Sequence, residues 1–171
     1  MELYHGGFAT DHKHFWPLSH VGTRQAALDR IGSNFQDYKA SGGRKALKSF
    51  LYRCNVDLGN KVLCWPDWNA ANPTGLLLNL YRNGIFKVPK KEYETMFDKV
   101  AALQRLNKEA EALAAAFIMV KDLDFTAIRY LNRHEGEADQ PSYMVVYPEQ
   151  IEVINYEKID RDFYPETLNY H

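Results

Sequence analysis

The chain has 171 residues, room for one hydrophobic core of ordinary domain size. Apolar residues make up 46% and charged residues 25%, the balance of a soluble globular protein. A formal net charge of -1 excludes a global field that would draw the chain to nucleic acid or to a membrane surface. No apolar run approaches the roughly 18 residues of a membrane span, and the N-terminal Met1-Glu2-Leu3-Tyr4-His5 lacks the basic start and apolar stretch of a signal peptide. A cytoplasmic workplace is expected, in the producing cell or in a target cell. The two cysteines, Cys54 and Cys64, sit among apolar neighbours and read as buried free thiols.

In chain order, Leu3-Tyr4 reads as a short strand ended by Gly6-Gly7, and residues 8–16 as a loop rich in histidine and aromatic residues. Pro17–Val21 suggests a second short strand. Gly22-Thr23 then opens a helix capped by Thr23, with Ala26, Ala27 and Ile31 as its apolar face. A turn at Ser41-Gly42-Gly43 precedes a strand over 46–57 and an extended piece at Lys61–Cys64. Asn72-Pro73 starts a helix that stops at Asn83-Gly84. Tyr93, Met96, Phe97, Val100 and Leu103 recur at helical spacing in a long region from Lys90 to about Val120, with room for a break. Phe125–Tyr130 is β-rich, and a polar loop follows from Asn132 to Gln140. Tyr143–Tyr147 is a strand, and Ile151, Val153 and Ile154 mark another short one. The sum is a single α+β domain over 1–171, with strands at both ends and a helical insertion over about 73–120.

Three segments carry chemistry. Leu3-Tyr4-His5-Gly6-Gly7 sets an imidazole at a strand end, where glycines leave room for a ligand and the ring can donate to a ribose hydroxyl. Ser19-His20-Val21-Gly22-Thr23 leads a strand into a helix whose first N–H groups suit an anion or an amide. Tyr130-Leu131-Asn132-Arg133-His134-Glu135-Gly136, followed by Ser142–Ile151, joins a loop carboxylate to a strand ending in Pro-x-Gln-Ile. Alone, the first also reads as a plain turn and the second as ordinary N-capping by Thr23, while the third is the most specific stretch.

Taken together and in this order, they resemble the ADP-ribosyltransferase-like superfamily, in particular bacterial and phage-associated members of a His-Tyr-Glu-like class. Those members combine Tyr-His-Gly-Thr near the start, a His-Phe-Gly-Thr and Ala-Ala segment, and a late Tyr-x-Asn-x-x-Glu-Gly with Ser-Tyr-Ile-Val-Phe-x-Pro-x-Gln-Ile. A softer match is Val62–Trp68 before a helix, although Trp65 and Trp68 also suit core packing. The resemblance implies a split β-sheet fold that grips NAD by its nicotinamide end in a cleft opened by Tyr4-His5-Gly6.

By that resemblance, His5 bonds the nicotinamide-side ribose and the Gly6 main chain meets the nicotinamide amide. His20 stands where relatives carry a tyrosine that stacks on nicotinamide, and Ser19 and Thr23 line the same wall. Glu135, with Glu137 as its neighbour and alternative, supports the oxocarbenium-like transition state as nicotinamide leaves. Ser142 also belongs to the ligand wall, and it occupies the place of a glutamate that many relatives use in catalysis. Glu149 is expected to turn away. The implied activity is transfer of ADP-ribose from NAD to a macromolecular acceptor, protein or nucleic acid. The alternatives are an NAD glycohydrolase and a weak or inactive domain that binds NAD-like ligands or a protein.

Three other readings carry their own residues. His12 and His14, with His5 and His20, could hold a metal, against a solvated histidine-rich loop. Arg44, Lys45 and Lys48 near Tyr38, Phe50 and Tyr52 could contact nucleic acid. Ala110, Ala112, Ala114, Ala115 and Ala116 could form a smooth protein-binding face, against packing on the sheets.

Overall fold

The computed structural model describes residues 1–8, 15–40, 42, 48–65, 72–131 and 140–159. The chain runs β1 (Glu2–Gly7), β2 (Ser19–Val21), α1 (Arg24–Ala40), β3 (Ser49–Val56), β4 (Val62–Trp65), α2 (Pro73–Arg82), α3 (Lys90–Arg105), α4 (Glu109–Val120), β5 (Ala127–Leu131), β6 (Pro141–Val145), a 3-10 turn (Pro148–Gln150) and β7 (Ile151–Ile159). It is a mixed α+β architecture. One sheet has the order β1-β3-β7, the other β2-β6-β5-β4. Among the described residues every strand pairing is antiparallel except β4 with β5. Parallel neighbours cannot be joined by a tight turn, so the chain between them must cross over. Helices α2, α3 and α4 are that crossover, which explains why the helical block interrupts the strands where it does.

Side-chain alternation sorts the larger sheet into two faces. Ile128, Tyr130 and Met144 pack with Leu76, Leu77, Leu80, Val100, Ala112 and Ala116 of the helices. Val21, Tyr143 and Val145 point the other way and pack with Leu3, Phe50, Tyr52, Cys54 and Val56 of the smaller sheet. The larger sheet is thus the middle layer between two cores. Ala112, Ala115 and Ala116 are buried in the helical core, while Ala110 and Ala114 face solvent. No helix among the described residues is long and apolar enough to cross a membrane.

The helix ends follow local chemistry. Asn72 caps α2 by accepting from the Gly75 N–H at 2.7 Å, and Gly84 leaves it at a φ of 67°. Thr23 Oγ1 accepts from the Ala26 N–H at 3.2 Å at the start of α1. The long helical region breaks between α3 and α4, where Asn107 takes a φ of 55°. Asparagine tolerates that left-handed conformation better than most side chains do.

All the strand boundaries depart from the sequence pattern, β3, β4 and β5 by one to three residues at an end, and the other four strands for local reasons. β1 runs through Gly6 and Gly7 because both pair with β3, opposite Leu51 and Phe50. β2 starts only at Ser19, since Leu18 has a φ of 63° and breaks the extended path. β6 ends at Val145, and the Tyr147 N–H instead donates to Gln150 Oε1 at 3.1 Å, which opens the 3-10 turn. β7 has nine residues and is not short. It pairs along the whole of β3, with a bulge opposite Arg53 and Cys54 that disrupts the apolar alternation expected of a strand.

α1 lies against β1, and Gly6 permits the approach. A Cβ at Gly6 would sit 2.1 Å from the Ala27 carbonyl oxygen and 2.8 Å from Ile31 Cγ1. Gly84, by contrast, has open space around it. Gly6→Ala is therefore expected to lower stability by about 3 kcal/mol, the upper range for overpacking a tight contact. Chemical denaturation measures it; a loss below about 0.5 kcal/mol would contradict the packing described for α1.

Candidate functional site

Beyond their shared core, the strands of the two sheets are bridged, among the described residues, at Tyr4 and Gly22. Tyr4 and Gly22 exchange both main-chain hydrogen bonds, Tyr4 N–H to Gly22 O at 2.8 Å and Gly22 N–H to Tyr4 O at 2.9 Å. In an antiparallel ladder the next bonded pair lies two residues further on each strand, which puts Gly6 opposite His20. That pair does not form among the described residues, and the bridge stands isolated. The His20 carbonyl is taken instead by His5, whose Nδ1 lies 2.7 Å away. A carbonyl oxygen only accepts, so His5 carries its proton on Nδ1. By strand alternation the Gly6 N–H and C=O and the His20 N–H all face the seam where the ladder stops.

His5 is wedged there by aromatic packing. Its ring meets Phe15 edge-on at 5.1 Å between centroids and Tyr52 at 6.3 Å. His20 projects from the opposite face of β2. Its Nδ1 lies 2.7 Å from Tyr130 Oη, and the two rings are edge-on at 5.6 Å. Burial pushes the His20 imidazole down from the ordinary value of 6.5 to about 3, and the charges of Arg30 and His5 push in the same direction. The ring is therefore neutral at physiological pH.

The residues singled out in the sequence do not all converge. Tyr4 contributes its main chain to the bridge, while its hydroxyl donates to Glu2 Oε1 at 2.9 Å and its phenol pKa is raised by that carboxylate. Ser19 donates its hydroxyl to the Trp16 carbonyl at 2.6 Å and alternates to the other face from His20. Thr23 is the α1 cap. Gly6 is buried, and the room beside its Cα is filled by α1 rather than left for a ligand. Ser142 is buried on β6, and its Oγ would lie 2.7 Å from a Cβ on Gly22. Glu135 and Glu137 lie outside the described residues. Glu149 is exposed on the 3-10 turn.

His12, His14, Arg44, Lys45 and Trp68 also lie outside the described residues. Among those described, no group of three or more His, Cys, Asp or Glu side chains is arranged to hold a metal. Phe50 and Tyr52 are core residues, which takes two of the three aromatic rings out of the nucleic-acid pattern; Tyr38 is half-buried and Lys48 exposed. Trp65 packs against the helical core. Cys54 is buried with its thiol pushed up to about 12, but Cys64 is exposed. The reading of both as buried fails at Cys64 because β4 is an edge strand. There Leu63 and Trp65 turn inward to the helices and Cys64 turns out.

Tyr130, Arg30 and Phe15 were not assigned site roles from the sequence. Tyr130 lies 110 residues from His20 and reaches it only through the β5-β6-β2 register. No family model, curated protein or solved structure matches this chain.

Two outcomes follow. In the unfolded chain His20 takes a proton as pH falls through 6.5, while the folded chain refuses it until about 3. Stability should therefore decline across that window, with a smaller decline in His20→Gln; identical pH–stability curves would contradict the burial of the ring. Separately, Gly22→Ala should destabilise by about 2 kcal/mol. Adding Ser142→Ala should recover part of that loss, because it removes the closest atom a new Cβ meets; strictly additive effects would contradict the contact.

Proposed function

We propose that this chain is an ADP-ribosyltransferase-like domain that binds NAD with its nicotinamide end at the seam between β1 and β2. The observation that carries the reading is the interrupted ladder after Tyr4–Gly22, with His5, the Gly6 main chain and His20 gathered around it. A strand edge with one N–H and one C=O is complementary to a primary carboxamide, which has a donor and an acceptor side by side. The two-sheet arrangement with a helical crossover agrees with the split-sheet fold that the sequence resembles.

In the proposed reaction the bond between the ribose C1′ and nicotinamide breaks, and its electron pair leaves with the neutral ring. An acceptor lone pair then bonds to C1′, and the acceptor gives up its proton. A macromolecular acceptor makes the chain a transferase. His5 orients the ribose, its ring held by the hydrogen bond from Nδ1–H to the His20 carbonyl. Glu135 supplies the negative charge that favours the cationic sugar. Its segment joins β5 to β6, and the last residues of β5 include Tyr130, already bonded to His20.

A second reading has an observation of its own. Ser142 is buried against Gly22, so this position supplies neither a carboxylate nor space for one. That favours a domain that binds NAD-like ligands without turning them over.

Nicotinamide release in the presence of labelled NAD and cell lysate separates the two. Turnover is expected, with Glu135→Gln slower by roughly 10²-fold at nearly unchanged NAD affinity, the scale for losing one electrostatic stabiliser. His5→Ala should weaken NAD binding by about tenfold, near the upper limit for a single hydrogen bond. Full activity in Glu135→Gln would remove that glutamate from the mechanism. Tight NAD binding without nicotinamide would establish the second reading.

A further inference from the structure

We infer that Asn83 is a modification site, where spontaneous conversion of the side-chain amide to an acid is gated by the exit of α2. Asn83-Gly84 is the one step in the chain at which glycine follows asparagine; every other asparagine precedes a residue with a side chain. The nucleophile of this conversion is the next main-chain nitrogen, and glycine leaves it unhindered. The Gly84 nitrogen bonds to Asn83 Cγ, the Cγ–Nδ2 bond breaks, and Nδ2 leaves as ammonia with the Gly84 N–H proton. Water then opens the cyclic imide at either carbonyl, giving aspartate or isoaspartate. Both residues are exposed and Gly84 has open space around it, so the imide has room and water has access.

In the folded chain both reacting groups are held. The Gly84 N–H donates to the Tyr81 carbonyl at 3.0 Å, and Asn83 Nδ2 donates to the Asn79 carbonyl at 2.9 Å. Ring closure needs the Gly84 nitrogen turned toward the Asn83 Cβ, whereas an Asn83 ψ of 8° keeps it beside the Asn83 main-chain nitrogen. Just beyond, the Ile85 and Phe86 N–H groups both donate to the Leu80 carbonyl, at 3.0 and 3.1 Å, and Leu80 and Phe86 are buried in the helical core. The turn must therefore open before the imide forms, a local event of the kind helix ends undergo. The products undo the turn that gates them. Aspartate sets a carboxylate at the carbonyl end of α2, where negative charge is disfavoured, and it no longer donates to Asn79. Isoaspartate adds a methylene to the main chain and displaces Ile85 and Phe86 from the Leu80 carbonyl. The change runs one way and loosens the helical core at Phe86.

Peptide mapping by mass spectrometry tests this on the full chain, incubated at mildly alkaline pH either folded or in denaturant. Trypsin cuts after Arg82 and Lys87 and isolates the peptide that begins at Asn83. In the folded chain this peptide is expected to show the amide-to-acid mass change before any other asparagine does. The change should be about tenfold or more slower than in denaturant, because two hydrogen bonds must open first. Asn83→Gln should abolish it. Another asparagine converting first in the folded chain, or no conversion of Asn83 in denaturant, would overturn the site. Equal rates in the folded and unfolded chains would overturn the gate. Hydrogen exchange reads the consequence separately: the Phe86 amide should exchange faster in Asn83→Asp, and unchanged exchange would contradict the loosening.

Discussion

The hydrogen bond from His5 Nδ1 to the His20 carbonyl is the constraint on which the site depends. Two strands joined by the Tyr4–Gly22 bridge would ordinarily continue to pair, because an unmet main-chain group away from water is costly. At this seam a side chain satisfies the carbonyl in place of the next N–H, so the ladder ends without leaving that oxygen unmet. The bond also fixes the proton on His5. One interaction thus accompanies the end of the ladder and sets the His5 tautomer at Nδ1.

The surroundings support this arrangement from both sides. On one face, the half-buried His5 ring packs against Phe15 and Tyr52 at the border of the core between the sheets. On the other, α1 seats against Gly6 and the helical crossover packs on Met144, Ile128 and Tyr130. The glycines at the seam serve packing first. Gly6 admits the Ala27 carbonyl, and Gly22 admits the Ser142 side chain. Any use of the Gly6 main chain for a ligand comes through its edge and not through empty space above its Cα.

Much of the fold was legible from local signals. Asn72-Pro73 and Asn83-Gly84 bracket α2 because capping and the left-handed exit depend on residues adjacent in sequence. Thr23 likewise announces α1. What escaped depends on partners distant in the chain. The length of β7 is set by β3, and its polar, bulged sequence has no clean alternation to read. Cys64 looked buried from its neighbours, yet an edge strand turns every second side chain outward. Of the site, His5 was visible as a histidine beside glycines and His20 as part of a strand end leading into a helix, but their coupling through a main-chain carbonyl was not. Tyr130 was visible only as part of a motif, because its contact with His20 exists solely through strand register.

The central claim is that NAD meets the seam through the Gly6 and His20 main chains. Main-chain amide NMR of the labelled protein during an NAD titration addresses it directly. The account predicts that the Gly6 and His20 amide signals shift saturably and among the most strongly in the chain, and that nicotinamide alone moves the same two. Saturable NAD binding that leaves both amides unmoved, or no binding at millimolar NAD, would contradict it.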